Sequence, residues 1–117
     1  MHIQVNTDHN IEVHEALAAH LRSTVEVALN RFSDHITRVE MHLSDESADK
    51  SGQNDKHCLL EARIKGRQPI AVTYEAVSLG QAVEGAAGKL VRSIESALGR
   101  AERPAASVDW TEPTEPE

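Results

Sequence analysis

Aromatic residues are scarce in this chain: they make up 3% of its 117 positions, as one Phe, one Tyr and one Trp. Any core must therefore be built from Leu, Ile, Val and Ala. Cysteine occurs once, as Cys58, which excludes an intramolecular disulfide. No run of apolar residues is long enough to cross a membrane as a helix, and no basic segment followed by an apolar one opens the sequence. The expectation is a cytoplasmic protein without a membrane partner. Positive charge is also in short supply, with 12 Lys and Arg against 19 Asp and Glu and a net charge of −7. The deficit is uneven. Residues 101–117 hold Glu102, Asp109, Glu112, Glu115 and Glu117 against Arg103 alone, so more than half of the excess lies at the C-terminal end. The remainder is only mildly acidic, which argues against strong nonspecific nucleic-acid binding but leaves room for a local basic stripe.

The stretch from His57 to Gly99 organises the rest. Cys58, Leu60, Ala62 and Ile64 alternate with His57, Glu61, Arg63 and Lys65, a period of two with one buried face. Gly66-Arg67-Gln68-Pro69 supplies a turn, and Ile70, Val72 and Tyr74 resume the alternation. Ser78 occupies an N-cap position, followed by Leu79, Val83, Ala86, Leu90, Ile94 and Leu98 at helical spacing. Upstream, Ile3 and Val5 alternate with polar neighbours in a short strand. Val13, Leu17, Leu21, Val25, Ala28 and Phe32 form one stripe of a helix spanning Ile11 to Phe32. Val39, Met41 and Leu43 then mark a strand over Ile36 to Ser44.

Asp45 to Lys56 is polar and reads as a loop, and the Pro- and Glu-rich end past Arg103 reads as a disordered acidic tail with a lone Trp110. The domain division is 1–100 for a folded unit and 101–117 for the tail. The order βαβββα, with one apolar face per strand and one stripe per helix, predicts an α+β two-layer sandwich. Two helices cover one face of a four-stranded mixed sheet and the other face meets solvent.

Few residues carry chemistry. Lys89, Arg92, Ser96, Arg100 and Arg103 recur every three or four positions and share one exposed face of the last helix. They fit phosphate contacts, and they equally fit a solvated face with cations favoured near the helix C-terminus. Arg63, Lys65 and Arg67 cluster near the strand-three turn, where charges also guard a sheet edge. The seven histidines form no metal-ligand spacing, although His42 and His57 fall on the outward sheet face in a register that permits pairing. Cys58 and His57, being adjacent on a strand, point to opposite faces and make no thiol dyad. Gly85-Ala86-Ala87-Gly88-Lys89 lacks the first Gly and the Ser/Thr of a phosphate loop, and the loop from Asp45 lacks the Gly and Glu of a calcium loop. Gly85 and Gly88 instead fit close approach to a neighbour. No catalytic residue, metal or cofactor is expected, and the chain is not read as an enzyme.

The opening HIQVN, Glu15-Ala16-Leu17, Arg38-Val39-Glu40, Ala82-Val83-Glu84 and Lys89-Leu90-Val91-Arg92 occur in the order found in one family. On these residues the chain resembles the ribosome-hibernation-promoting and ribosome-associated inhibitor family (sigma-54 modulation / S30EA ribosomal proteins) in its short form. The resemblance covers residues 1 to about 100. It implies a βαβββα fold related to double-stranded-RNA-binding domains. It also implies a stress-response, translation-regulating role as a non-enzymatic plug across the mRNA and tRNA sites, with the small ribosomal subunit and its 16S rRNA as partner, ribosomal proteins as further contacts, and no DNA. Lys89 and Arg92 carry over as rRNA contacts, followed by Arg22, Arg31, Arg100, Arg63, Lys65 and Arg67. The first helix departs from the family pattern, with Thr24 and Val27 at positions that are often basic. The alternative is a protein-binding module on the same fold that has lost ribosome binding. The tail acids are expected to repel rRNA or compete for the basic stripe.

Overall fold

Alternating residues in the sequence become the two faces of one sheet. A computed structural model describes residues 1–8, 13–45 and 55–102; Ile11, Glu12, most of the polar loop and the tail from Arg103 lie outside the described residues. Strands β1 (His2–Thr7), β2 (Ile36–Asp45), β3 (Lys56–Ile64) and β4 (Ile70–Ala76) stand in the order β1-β2-β3-β4. β1 runs parallel to β2, and the β2–β3 and β3–β4 pairs are antiparallel. Helix α1 (Glu15–Leu29) connects the parallel pair, and α2 (Leu79–Glu102) follows β4. α2 packs on β3 and β4 and against α1. This is the expected α+β two-layer sandwich.

The register aligns Val5, Met41, Leu60 and Val72 across all four strands, and Ile3, Val39, Ala62 and Ile70 beside them. Both rows face the helices. Leu21, Val25 and Leu29 of α1 meet Val83, Ala86, Leu90 and Ile94 of α2 in a core whose buried members are all apolar among the described residues. Burying each large aliphatic side chain stabilises the fold by roughly 1.5–3 kcal/mol, which compensates for the missing aromatics. Among the described residues Phe32 is the one aromatic ring that is buried.

Local chemistry fixes the ends. The Gln81 amide donates to Ser78 Oγ at 3.2 Å, so Ser78 is the N-cap the sequence suggested. The β3–β4 turn closes with the Arg67 amide on the Ile64 carbonyl at 3.2 Å. Gly66 takes its third position with φ +70°, a conformation that favours glycine. α1 begins later than the periodicity predicts, because His14 is extended (φ −66°, ψ 159°) and Glu15 opens the helix. A carboxylate in that first turn suits the positive end of the helix dipole. The α1 ladder also stops early, tightening to a 3-10 turn over Asn30–Phe32 that turns Phe32 into the core. α2 extends through Ala101 and Glu102, two residues into the stretch read as tail.

Candidate nucleic-acid interface

Among the described residues β4 is an edge strand, so one side of its backbone lacks a neighbouring strand to bond with. α2 lies along this edge. The Lys89 ammonium donates to the Thr73 carbonyl at 2.8 Å, capping the strand while the side chain stays exposed. One turn earlier, the Tyr74 ring occupies the space a side chain would need at Gly85. One turn later, the Arg92 guanidinium leans back toward Gly88, 3.8 Å from where its Cβ would be. Beyond it an open groove is lined by Ile70, Lys89, Arg92, Ser93, Ser96 and Ala97. Arg67 reaches over from the β3–β4 turn to within 3.5 Å of the Ala97 carbonyl, near the negative end of the helix dipole.

The result is a strip of three exposed cations, Arg67, Lys89 and Arg92, with the half-exposed Tyr74 at one end. No acid stands among the described residues lining its groove. Arg100 falls in α2 beyond the groove by sequence. Donors of this kind suit a phosphate backbone: a guanidinium can bind phosphate with two hydrogen bonds, and an ammonium acts as a point charge.

The other expected contacts are placed differently. Arg22 of α1 pairs with Glu15 at 3.8 Å. Arg31 pairs with Glu95 of α2 and sits 4.7 Å over the Phe32 ring. Lys65 is exposed in the turn, held by its amide bonding to the His35 carbonyl at 2.8 Å. Arg63 pairs across strands with Arg38 on the open sheet face, the side away from the helices. The turn cluster is thus divided, with Arg67 joining the α2 strip and Arg63 on the opposite face. On that face Arg38 meets Glu40 at 3.2 Å and bonds Gln4. Lys56 bridges Asp45 and Asp55, each at 3.3 Å, and its pKa is raised chiefly by the hydrogen bond it donates to the Asp45 carboxylate.

The permitted pairing of His42 with His57 is not adopted. His42 stands opposite Leu59 and His57 opposite Ser44, with Glu40 and Glu75 as their respective neighbours at 3.3 and 3.5 Å. Among the described residues no three His, Cys, Asp or Glu converge in a way that would hold a metal ion. Cys58 is fully buried, and burial pushes its thiol up to about 12, so it acts as a small hydrophobe. No helix among the described residues is long and apolar enough to cross a membrane.

Sequence reasoning missed Tyr74 as a surface aromatic. The signal was Gly85, a poor helix former placed one turn before Lys89.

Comparison with known proteins places the chain in a group. The family described as sigma 54 modulation protein / S30EA ribosomal protein matches residues 3–102. A ribosomal subunit interface protein from Coxiella burnetii has a similar structure, with a TM-score of 0.64 and 19% identity over 85% of this chain and 99% of that one. The N-terminal domain of Protein Y from Thermus thermophilus gives a TM-score of 0.66 and 18% identity over 83% and 99%. No curated protein sequence matches the chain.

Proposed function

The chain belongs to the sigma 54 modulation / S30EA ribosomal protein family, and from that premise we propose that it is a ribosome-associated factor that binds the small subunit through rRNA phosphates. On this reading it occupies the mRNA and tRNA sites without catalysis and silences or protects the particle under stress. The observation that carries the reading is the strip of Arg67, Lys89 and Arg92 along the groove between β4 and α2, which no acid lines among the described residues. The fold supplies rigidity: Lys89 is anchored on a strand edge, so less side-chain freedom is lost when it meets a phosphate. Tyr74 offers a ring face for an unpaired base at one end of the strip.

Co-sedimentation with isolated small subunits at about 50 mM and about 150 mM salt tests the proposal. Saturable binding that weakens with salt is expected, with roughly 0.9 added to the log–log salt slope for each phosphate neutralised on duplex-like rRNA. Added mRNA or tRNA should compete. Binding that is indifferent to salt and to both competitors would overturn the reading.

One observation favours the alternative, a protein-binding module. Val27 is 74% exposed on α1, at a position where the resemblance leads one to expect a cation. An apolar protein contact there would survive salt that strips an rRNA contact.

A further inference from the structure

The groove beside β4 is cationic at its rim and partly apolar at its floor, where Ile70 and Ala97 lie half-buried. The chain carries a segment of the complementary character. Residues 104–117 hold Asp109, Glu112, Glu115 and Glu117 with no Lys or Arg, and the protein's sole Trp, Trp110, stands among them. This segment begins just past the end of α2, the helix that forms one wall of the groove.

We propose that the acidic C-terminal segment docks back along this groove in the free protein, with Trp110 over Ile70 and Ala97 and its carboxylates toward Arg67, Arg92 and Lys89. It would act as an internal stand-in for phosphate, which any nucleic acid must displace. The inference rests on the phosphate-binding reading of the strip and adds a regulatory occupant to it.

Reach permits this seat. From Glu102 back to Lys89 is thirteen residues of helix, about 20 Å at ~1.5 Å per residue. The fifteen residues from Arg103 to Glu117 extend to about 50 Å at ~3.3 Å per residue, and Trp110 alone can lie about 26 Å from the helix end. Trp110 therefore reaches every part of the groove. Chemistry favours the same arrangement, because an indole beside a guanidinium gains a cation–π contact and carboxylates pair with Arg in bidentate fashion. Each exposed ion pair contributes little alone. Tethering makes the difference: a short link holds the segment at an effective concentration on the order of millimolar, enough for a weak ligand to compete.

Because Trp110 is unique, its fluorescence reports the segment without a label. In the full chain at about 50 mM salt, acrylamide should quench Trp110 several-fold less than a free indole, with blue-shifted emission. Arg92→Glu, salt of about 1 M, or inorganic polyphosphate should each restore full quenching. The shielding should not vary across a hundredfold dilution, which separates an internal seat from a tail supplied by a second copy. A full-length variant with Asp109→Asn, Glu112→Gln, Glu115→Gln and Glu117→Gln should bind small subunits about three- to tenfold more tightly at low salt, a difference that vanishes near 0.5 M. Quenching in the wild type equal to that of free indole, or unchanged by Arg92→Glu in a chain that melts normally, would overturn the seat. Concentration-dependent shielding would overturn the internal occupant. Shielding with unchanged subunit affinity in the tail variant would overturn its competition with rRNA. If no variant binds subunits at all, the ribosomal reading fails, and the polyphosphate response still decides whether the segment competes with phosphate.

Discussion

The two helices bury similar aliphatic stripes yet treat their cations in opposite ways. On α1 and the turn after it, Arg22 and Arg31 each face a carboxylate, Glu15 and Glu95. Along α2 and the β4 edge, Lys89 and Arg67 are steered by backbone carbonyls, and Arg92 lines a groove with no acid among its described residues. A carboxylate cancels the charge it pairs with, so an approaching phosphate gains little net attraction and must first break the pair. A carbonyl orients a cation while leaving its charge to act outward. Net charge therefore says less about a phosphate site than the kind of acceptor each cation meets inside the fold. A protein with net charge −7 can present one cationic strip if its acids stand elsewhere.

Reversing the strip gives the largest expected effect. Lys89→Glu with Arg92→Glu should weaken small-subunit association about 100-fold or more, roughly 2.7 kcal/mol, and lower the salt slope by nearly two. Losing the Lys89 donor leaves the Thr73 carbonyl uncapped, which costs about 1 kcal/mol and a few degrees of melting temperature, so the variant should still fold. Normal association by the folded variant would remove the strip from the interface.

The core beneath the strip can be probed by pH. Cys58 lies opposite Tyr74 in the β3–β4 register. Burial raises its pKa from 9.0 to about 12, so the folded chain keeps the thiol proton where the unfolded chain has lost it. Its contribution is intact below pH 9 and is lost as pH rises toward 12, at about 1.4 kcal/mol per unit. Urea unfolding at pH 8 and pH 10 should show this slope, and Cys58→Ala should lack it. Gly85→Ala should act at the same place with a smaller effect. The new Cβ would drive the Tyr74 ring outward, for a net loss of about 1 kcal/mol after the gain in helix propensity. Thiol reagents should then reach Cys58 faster than in the wild type. Equal labelling would mean that Tyr74 does not seal this side.

What was legible in the sequence depended on range. Strand faces, the Ser78 cap and the burial of Cys58 follow from neighbours within a few residues, and all three are present. The fit of glycine to a close approach holds at Gly85 but not at Gly88, whose nearest neighbour is the Arg92 side chain of the same helix at an ordinary 3.8 Å. The start of α1 was misplaced because Val13 packs on the core from just ahead of the helix, continuing its apolar stripe without its backbone. The state of each cation was out of reach. Arg31 and Glu95 are 64 residues apart, and the partner of Lys89 depends on β4 being an edge, which only the assembled sheet decides. The same holds for Arg63 and Arg67: four positions apart in sequence, they end on opposite sides of the molecule.

Two smaller effects sharpen the comparison between helices. Thr24→Lys with Val27→Lys adds unpaired cations to α1, and if that helix also faces rRNA, affinity should rise about threefold at low salt. No change would place α1 outside the interface. Glu95→Gln asks the question without adding charge to α1. It releases Arg31, which keeps its place over Phe32, and removes a carboxylate one turn from Arg92. Stability should fall by less than about 1 kcal/mol, as for other exposed pairs. Binding should tighten about twofold at 50 mM salt, a difference that a salt titration of co-sedimentation can resolve. Tightening with the lysine pair but not with Glu95→Gln would mean that α1 lies near phosphates but the Arg31 pair is not what keeps it silent. Tightening with both would make acid placement the reason one helix binds and the other does not.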